Sequence, residues 1–221
     1  MAEEQYLTFQ KFNDQGLATE LADLLEENNI DFILDGSSGF DPTFSNSEIN
    51  KEFRVKLKKE NFEQAHALLL NVSMMQLDSV EKDYYLFDFS DDELIEIVTK
   101  PDEWGHFDYM LAQRLLKERG KEIKPAVADT LRKQRLQELA KPEESQKSWI
   151  YAGYAFAILG GLIGVFIGWH LMTHKKTLPN GDRVYGHSAS DRKHGNRIFL
   201  LGIFFVLFWT AGRIIASFSN W

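Results

Sequence analysis

At 221 residues the chain has room for one large domain or two small ones, and its net charge of −8 is unevenly placed. Residues 1–148 carry 18 Lys+Arg against 31 Asp+Glu, whereas residues 149–221 carry 7 against 2. Such an acidic N-terminal body excludes nucleic acid as the main partner, the lack of cysteine excludes disulfides, thiolate zinc sites and cysteine nucleophiles, and MAEEQYLTFQ has no signal-peptide pattern.

In chain order, Tyr6–Phe12 reads as a strand. Asn13 and Asp14 offer a helix cap, and Leu17, Leu21, Leu24 and Leu25 recur at helical spacing until Asn28 and Asn29 end the helix. Ile30, Phe32 and Leu34 alternate in a second strand, followed by the Gly/Ser/Asp/Asn-rich loop 36–50. Phe53, Val55 and Leu57 alternate with Arg54, Lys56 and Lys58 in a third strand, and Phe62, Ala65, Leu68 and Leu69 mark a second helix. With YYLFDF (84–89) as a closing strand, this order predicts a ferredoxin-like βαββαβ sandwich.

The segments LADLLEENNIDFIL and FRVKLKKENFEQAHALL, with the Gly/Ser loop between them, resemble a small bacterial domain labelled "putative signal-transducing", whose fold is similar to that of PII proteins. The resemblance covers about a third of the chain. It implies that loop 36–50 stands where PII-like proteins bind nucleotides and touch membrane partners. The loop has no Lys or Arg, so nucleotide binding is not carried over, and no cofactor is expected.

Residues 78–120 form a second, acidic unit. Ser90 to Glu93 fits a capping box before Leu94, Ile95, Ile97 and Val98. A turn at Pro101–Gly105 leads to a helix with Phe107, Leu111, Leu115 and Leu116, closed by Gly120. These two short helices read as a docking module, with Asp91, Asp92 and Asp102 as partner-docking residues, or else as a solvated, cap-rich face. Residues 125–140 predict a polar helix within a juxtamembrane segment, 121–147, and Pro142 begins a hinge.

From Ser148 to His174 no residue is formally charged, and 149–169 at 1.5 Å per residue is about 31 Å long, the thickness of a hydrocarbon core. A second uncharged run, 198–212, is followed by Arg213, an intramembrane charge near enough to the end of the run to snorkel. The expectation is a hairpin of two transmembrane helices, 148–221, with a loop at 174–197. Gly160, Gly164 and Gly168 line one face for helix packing, and Gly153, Ala157 and Gly161 form a second small-residue row beside it; one row is expected on the second span near Gly202 or Ala211, the other on a partner helix or a second copy. The basic counts before the first span and in the loop nearly tie. The difficulty of translocating a 147-residue N-tail, and a basic arm at 109–148, predict a bacterial inner-membrane protein with both termini cytoplasmic.

His170 and His174 share a helix face near His187, His194, Asp182 and Asp191, a weak metal candidate without an HExxH pattern; no metal is expected. Asn180-Gly181 predicts a β-turn. There is no Walker motif, GxSxG or Rossmann fingerprint. The chain therefore reads as α+β with a membrane hairpin, and as a non-enzymatic regulator or adaptor that docks proteins through loop 36–50 and the acidic module. The alternative is an accessory subunit of a membrane transport, secretion or respiratory complex. Expected partners are the bilayer and a membrane or cytoplasmic protein, or a second copy.

Overall fold

The computed structural model describes residues 5–38, 51–145 and 147–219. The chain divides into two compact units, Met1–Leu139 with Thr177–Asp182, and Ala140–Lys176 with Arg183–Trp221.

The first unit opens with strand β1 (Tyr6–Phe12), helix α1 (Gln15–Glu27), strands β2 (Phe32–Ser38) and β3 (Lys51–Lys58), and helix α2 (Phe62–Gln76). The sheet is antiparallel, in the order β1-β3-β2. Leu7 and Phe32 both face Leu57, and Leu34 faces Val55, so the alternation read in the sequence sets the register. Val55, Leu57, Phe62 and Ala65 bury against Leu21, Leu25 and Ile30. Asp14 caps α1 by accepting from the Leu17 amide at 3.0 Å. At its other end Asn29 takes φ +55° and the Ile30 amide reaches back to the Leu25 carbonyl, a Schellman closure.

The closing strand expected at 84–89 is not formed. Tyr85–Asp88 is a 3₁₀ turn, the sheet has three strands among the described residues, and the ferredoxin-like order is not completed. The aromatic-rich segment is apolar on both faces, and it finds its burial among helices instead. Leu86 is fully buried in a second core with Leu94, Ile97, Val98, Leu111, Leu115 and Leu116, while Tyr84, Phe87 and Phe89 pack around it. That core joins α3 (Asp91–Thr99) to α4 (His106–Glu118). The capping box of α3 is complete: the Glu93 amide donates to Ser90 Oγ and the Ser90 amide to the Glu93 carboxylate. Helix α4 closes as α1 does, with Gly120 at φ +73° and the Lys121 amide on the Leu116 carbonyl. Helix α5 (Pro125–Leu139) buries none of its residues and is held by charge, Arg135 forking onto Asp102 with two bonds of 2.8 Å.

The second unit corrects the two-span expectation. The uncharged run 148–174 is two short helices, α6 (Lys147–Leu159) and α7 (Leu162–Thr173), separated at Gly160 and Gly161. Gly161 adopts φ +58°, which a side chain rarely tolerates, and Gly164 packs directly on Ala157. Residues seven apart in one straight helix lie about 10 Å apart along its axis, so the chain reverses at the glycine pair. Strands β4 (Lys175–Thr177) and β5 (Arg183–Tyr185) flank the expected Asn180-Gly181 turn, with Gly181 at φ +79°. Among the described residues one helix is long and apolar enough to cross a membrane. This is α8 (Ala189–Ser219), whose most apolar 18-residue window has a mean hydropathy of 2.2, with 11% of that window buried.

Helices α7 and α8 run antiparallel and meet at glycines. A methyl group on Gly168 would stand 2.5 Å from the Phe199 backbone nitrogen, and one on Gly202 would stand 2.8 Å from the Gly161 carbonyl oxygen. Gly195 approaches Gly168 in the same way. Gly160 is different, since an added methyl would meet only the Phe156 carbonyl, at 3.6 Å.

Two outcomes test these assignments in the full chain in mild detergent. Gly120→Ala meets no atom within 4 Å, so its cost is conformational alone, about 1 kcal/mol in chemical denaturation of the first unit. Gly168→Val forces α7 from α8 and lowers the melting temperature of the helical unit, whereas Gly160→Val leaves it within a degree or so of the parent.

Candidate functional site

The acidic residues read as docking points have internal partners. Asp91 holds Arg119 at 3.0 Å and Lys121 at 2.6 Å, and these hydrogen bonds lower its pKa. Asp102 and Arg135 leave only 15% and 14% of their side chains exposed, and the Arg135 guanidinium holds the Asp102 carboxyl below the usual range. Asp92 alone of the three stands on an exposed turn without such a pair among the described residues. Loop 36–50 falls largely outside the described residues, only 36–38 being placed, as the end of β2. Arg213 lies on an exposed stretch of α8.

What the first unit does assemble is a cavity of about 110 Å³, bounded by α2, α4, α5 and the turn 177–182. Its walls are apolar at Leu70, Leu136, Leu139 and Pro179, and polar at His66, His106, Tyr109 and Arg132. His66 Nε2 lies 3.0 Å from the Pro179 carbonyl oxygen, which can only accept. The proton therefore sits on Nε2, and His66 Nδ1 accepts from His106 Nε2 at 2.9 Å. This chain of bonds leaves His106 Nδ1 as a bare acceptor. Burial pushes the His106 pKa down to about 4, with the neighbouring His66 and Arg132 adding to the shift. Burial also lowers His66, against the raising effect of the Pro179 carbonyl. Arg132 differs from Arg135, which is engaged by Asp102, Glu103 and Glu138: among the described residues Arg132 makes no ion pair. The site thus offers one uncompensated cation, a neutral imidazole pair and an apolar wall, which suits a small ligand with an anionic group.

None of His66, His106 and Arg132 stood out in the sequence. The two histidines are forty residues apart in separate helices, and no spacing rule joins them.

In the second unit His170 and His174 are brought together with His187, their ring centroids 4.8, 5.5 and 5.7 Å apart. His187 Nε2 is buried without a hydrogen-bond partner among the described residues, and burial followed by the nearby His174 lowers its pKa. Asp191 accepts from Ser145 Oγ at 2.7 Å. Yet among the described residues no group of three or more His, Asp or Glu side chains is placed to hold a metal ion. His194 is turned away from these rings and bonds Tyr154 at 3.1 Å, and Asp182 accepts from Lys59 in the first unit at 2.5 Å.

Scans against protein-family models, curated proteins and solved structures find no match to this chain.

The imidazole pair gives a pH dependence of defined sign. Both histidines are held neutral when folded, so below about pH 6.5 the unfolded chain binds protons that the folded one refuses. Stability from this pair is complete above pH 6.5 and is lost as pH falls towards 4, through the folded pKa of His106. In His106→Gln the denaturation midpoint should change less between pH 6.5 and 4.5 than in the parent. Equal slopes in the two proteins would mean that His106 is charged in the folded unit.

Proposed function

We propose that this chain is a membrane-anchored, non-enzymatic regulator or adaptor. Its first unit does the recognising at the cytoplasmic face of a bacterial inner membrane, and α8 is the anchor. The single observation that carries this reading is the contrast between the units. The first buries its apolar residues in two cores and keeps a ligand-sized cavity with an unpaired arginine. The second turns Leu200, Phe204, Leu207, Phe208, Ile214 and Ile215 outwards, a surface that suits lipid better than water. The resemblance of residues 5–70 to a signal-transducing domain agrees with a sensing role, in which a small anionic ligand in the cavity alters what the unit docks.

The competing reading, an accessory subunit bound through its glycine row, has less surface available to it. Gly164 and Gly168 are covered within the chain, and of the three predicted residues only Gly160 remains open. Copurification of the tagged full-length protein from membranes in mild detergent separates the two. On the adaptor reading the chain resists carbonate extraction, its partner is retained by Gly160→Leu, and the yield falls several-fold in Arg132→Glu. Retention by Arg132→Glu with loss in Gly160→Leu would replace the adaptor with an intramembrane subunit.

A further inference from the structure

The second unit has a shape that its composition does not announce. Helices α6 and α7 contain 13 and 12 residues, or about 18–20 Å each, against about 30 Å of hydrocarbon. They are joined by a reversal, so Lys147 and Thr173 lie at one end of the pair, and Leu159 and Leu162 at the other. Alongside, α8 runs parallel to α6 and antiparallel to α7: Gly153 packs on Ile198, Gly168 on Phe199, and Gly161 on Val206. The tip of the pair thus reaches the level of Val206–Trp209, nearly two thirds of the way along the 31-residue α8. Beyond this level, from Thr210 to Ser217, α8 continues exposed.

Charge follows this geometry. Between Ser148 and Trp221 every Lys, Arg, Asp and Glu except Arg213 falls within 175–197, at the open end of the pair. The tip is apolar and uncovered, with Leu159 77% and Leu162 60% exposed. Part of its backbone is nevertheless covered by α8. Trp209 Nε1 donates to the Ile158 carbonyl at 3.3 Å, at the end of α6 where a helix leaves carbonyls unpaired, and Gly161 is buried against α8. A non-helical turn at membrane depth is tolerated only when its polar groups are covered in this way.

We infer that α6 and α7 form a re-entrant hairpin that enters the hydrocarbon from one face, turns at Gly160-Gly161 and leaves by the same face, while α8 alone crosses. The partner of its exposed tip is the acyl interior of the bilayer. This inference rests on the membrane reading proposed above and sharpens it. The segment before α6 and the segment 174–197 then share one side. Their basic residues, ten in 109–148 and six in 175–197, reinforce each other instead of opposing. Both belong to the cytoplasmic side, and the end of α8 lies across the membrane, contrary to the expectation of two cytoplasmic termini.

The chain has no cysteine of its own, so single cysteines report topology without background. Glu144→Cys, Ser190→Cys and Asn220→Cys are introduced separately into the full chain, and a membrane-impermeant maleimide is applied to intact cells and to inverted membrane vesicles. The expected result is that positions 144 and 190 label only in inverted vesicles and position 220 only in intact cells. Labelling of position 190 in intact cells with 144 and 220 shielded would restore a two-span hairpin and overturn the inference, leaving the anchored adaptor intact. Release of the protein by carbonate would instead remove the membrane reading itself.

Discussion

The close approach of α7 to α8 is the constraint on which the second unit depends. Gly161 and Gly168 on one helix meet Gly202 and Gly195 on the other, and seven residues separate the glycines of each pair. That interval is two helical turns, so each helix returns its small residue to the same seam. In lipid, apolar side chains gain little by leaving their surroundings, and association rests on backbones coming near enough for dispersion contacts. A single methyl at Gly168 or Gly202 would stand under 3 Å from the opposing backbone, so the seam cannot relax by turning a flexible side chain aside. The reversal at Gly160-Gly161 follows from the same fit, because only a chain that turns there can set Gly164 on Ala157 while offering Gly168 to α8.

This also explains what the sequence could convey about the helices and what it could not. An uncharged run of 27 residues reports an apolar surrounding, but it does not distinguish one long helix from two short ones. The signal was present in the adjacent glycines 160 and 161, where a row at every fourth residue looks stronger than a pair. Of the row 160, 164 and 168 only Gly168 touches α8, and the other glycines that do, Gly153 and Gly161, belong to the second row. The expected contact at Gly202 is found, because small residues in an apolar helix have few roles other than close packing.

In the first unit local chemistry was legible and tertiary choice was not. Asp14, the Ser90–Glu93 box, Asn29 and Gly120 end their helices where the sequence places them, since each acts on backbone groups within four residues. Strand pairing of Leu7, Phe32 and Leu57 follows from alternation. YYLFDF was not decidable in this way. Its aromatic residues suit a strand, but its fate depends on which surface offers burial, and the core around Leu94, Leu111 and Leu116 takes Leu86 as a 3₁₀ turn. The cavity was invisible for a similar reason: His66, His106 and Arg132 converge only through the packing of α2, α4 and α5.

Charge in the first unit carries one more consequence. A surface with 31 acids among its first 148 residues looks like a docking face for a basic partner, but two of the three acids singled out there, Asp91 and Asp102, are answered by arginines and a lysine of the same unit. Arg119 ties Asp91 to the Phe87 and Phe89 carbonyls, Arg114 ties Asp78 to the Leu77 carbonyl, and Arg135 ties Asp102 to α5. Each guanidinium thus bridges the acidic segment to a later helix or its end, and this helps hold the polar α5, none of whose residues is fully buried. Arg132 sits on the same helix, one turn before Arg135, and is left without an acid among the described residues. Arg132 is thus a cation that this internal network leaves over, and on the reading proposed above its place on the cavity wall is where a ligand's negative charge would meet it.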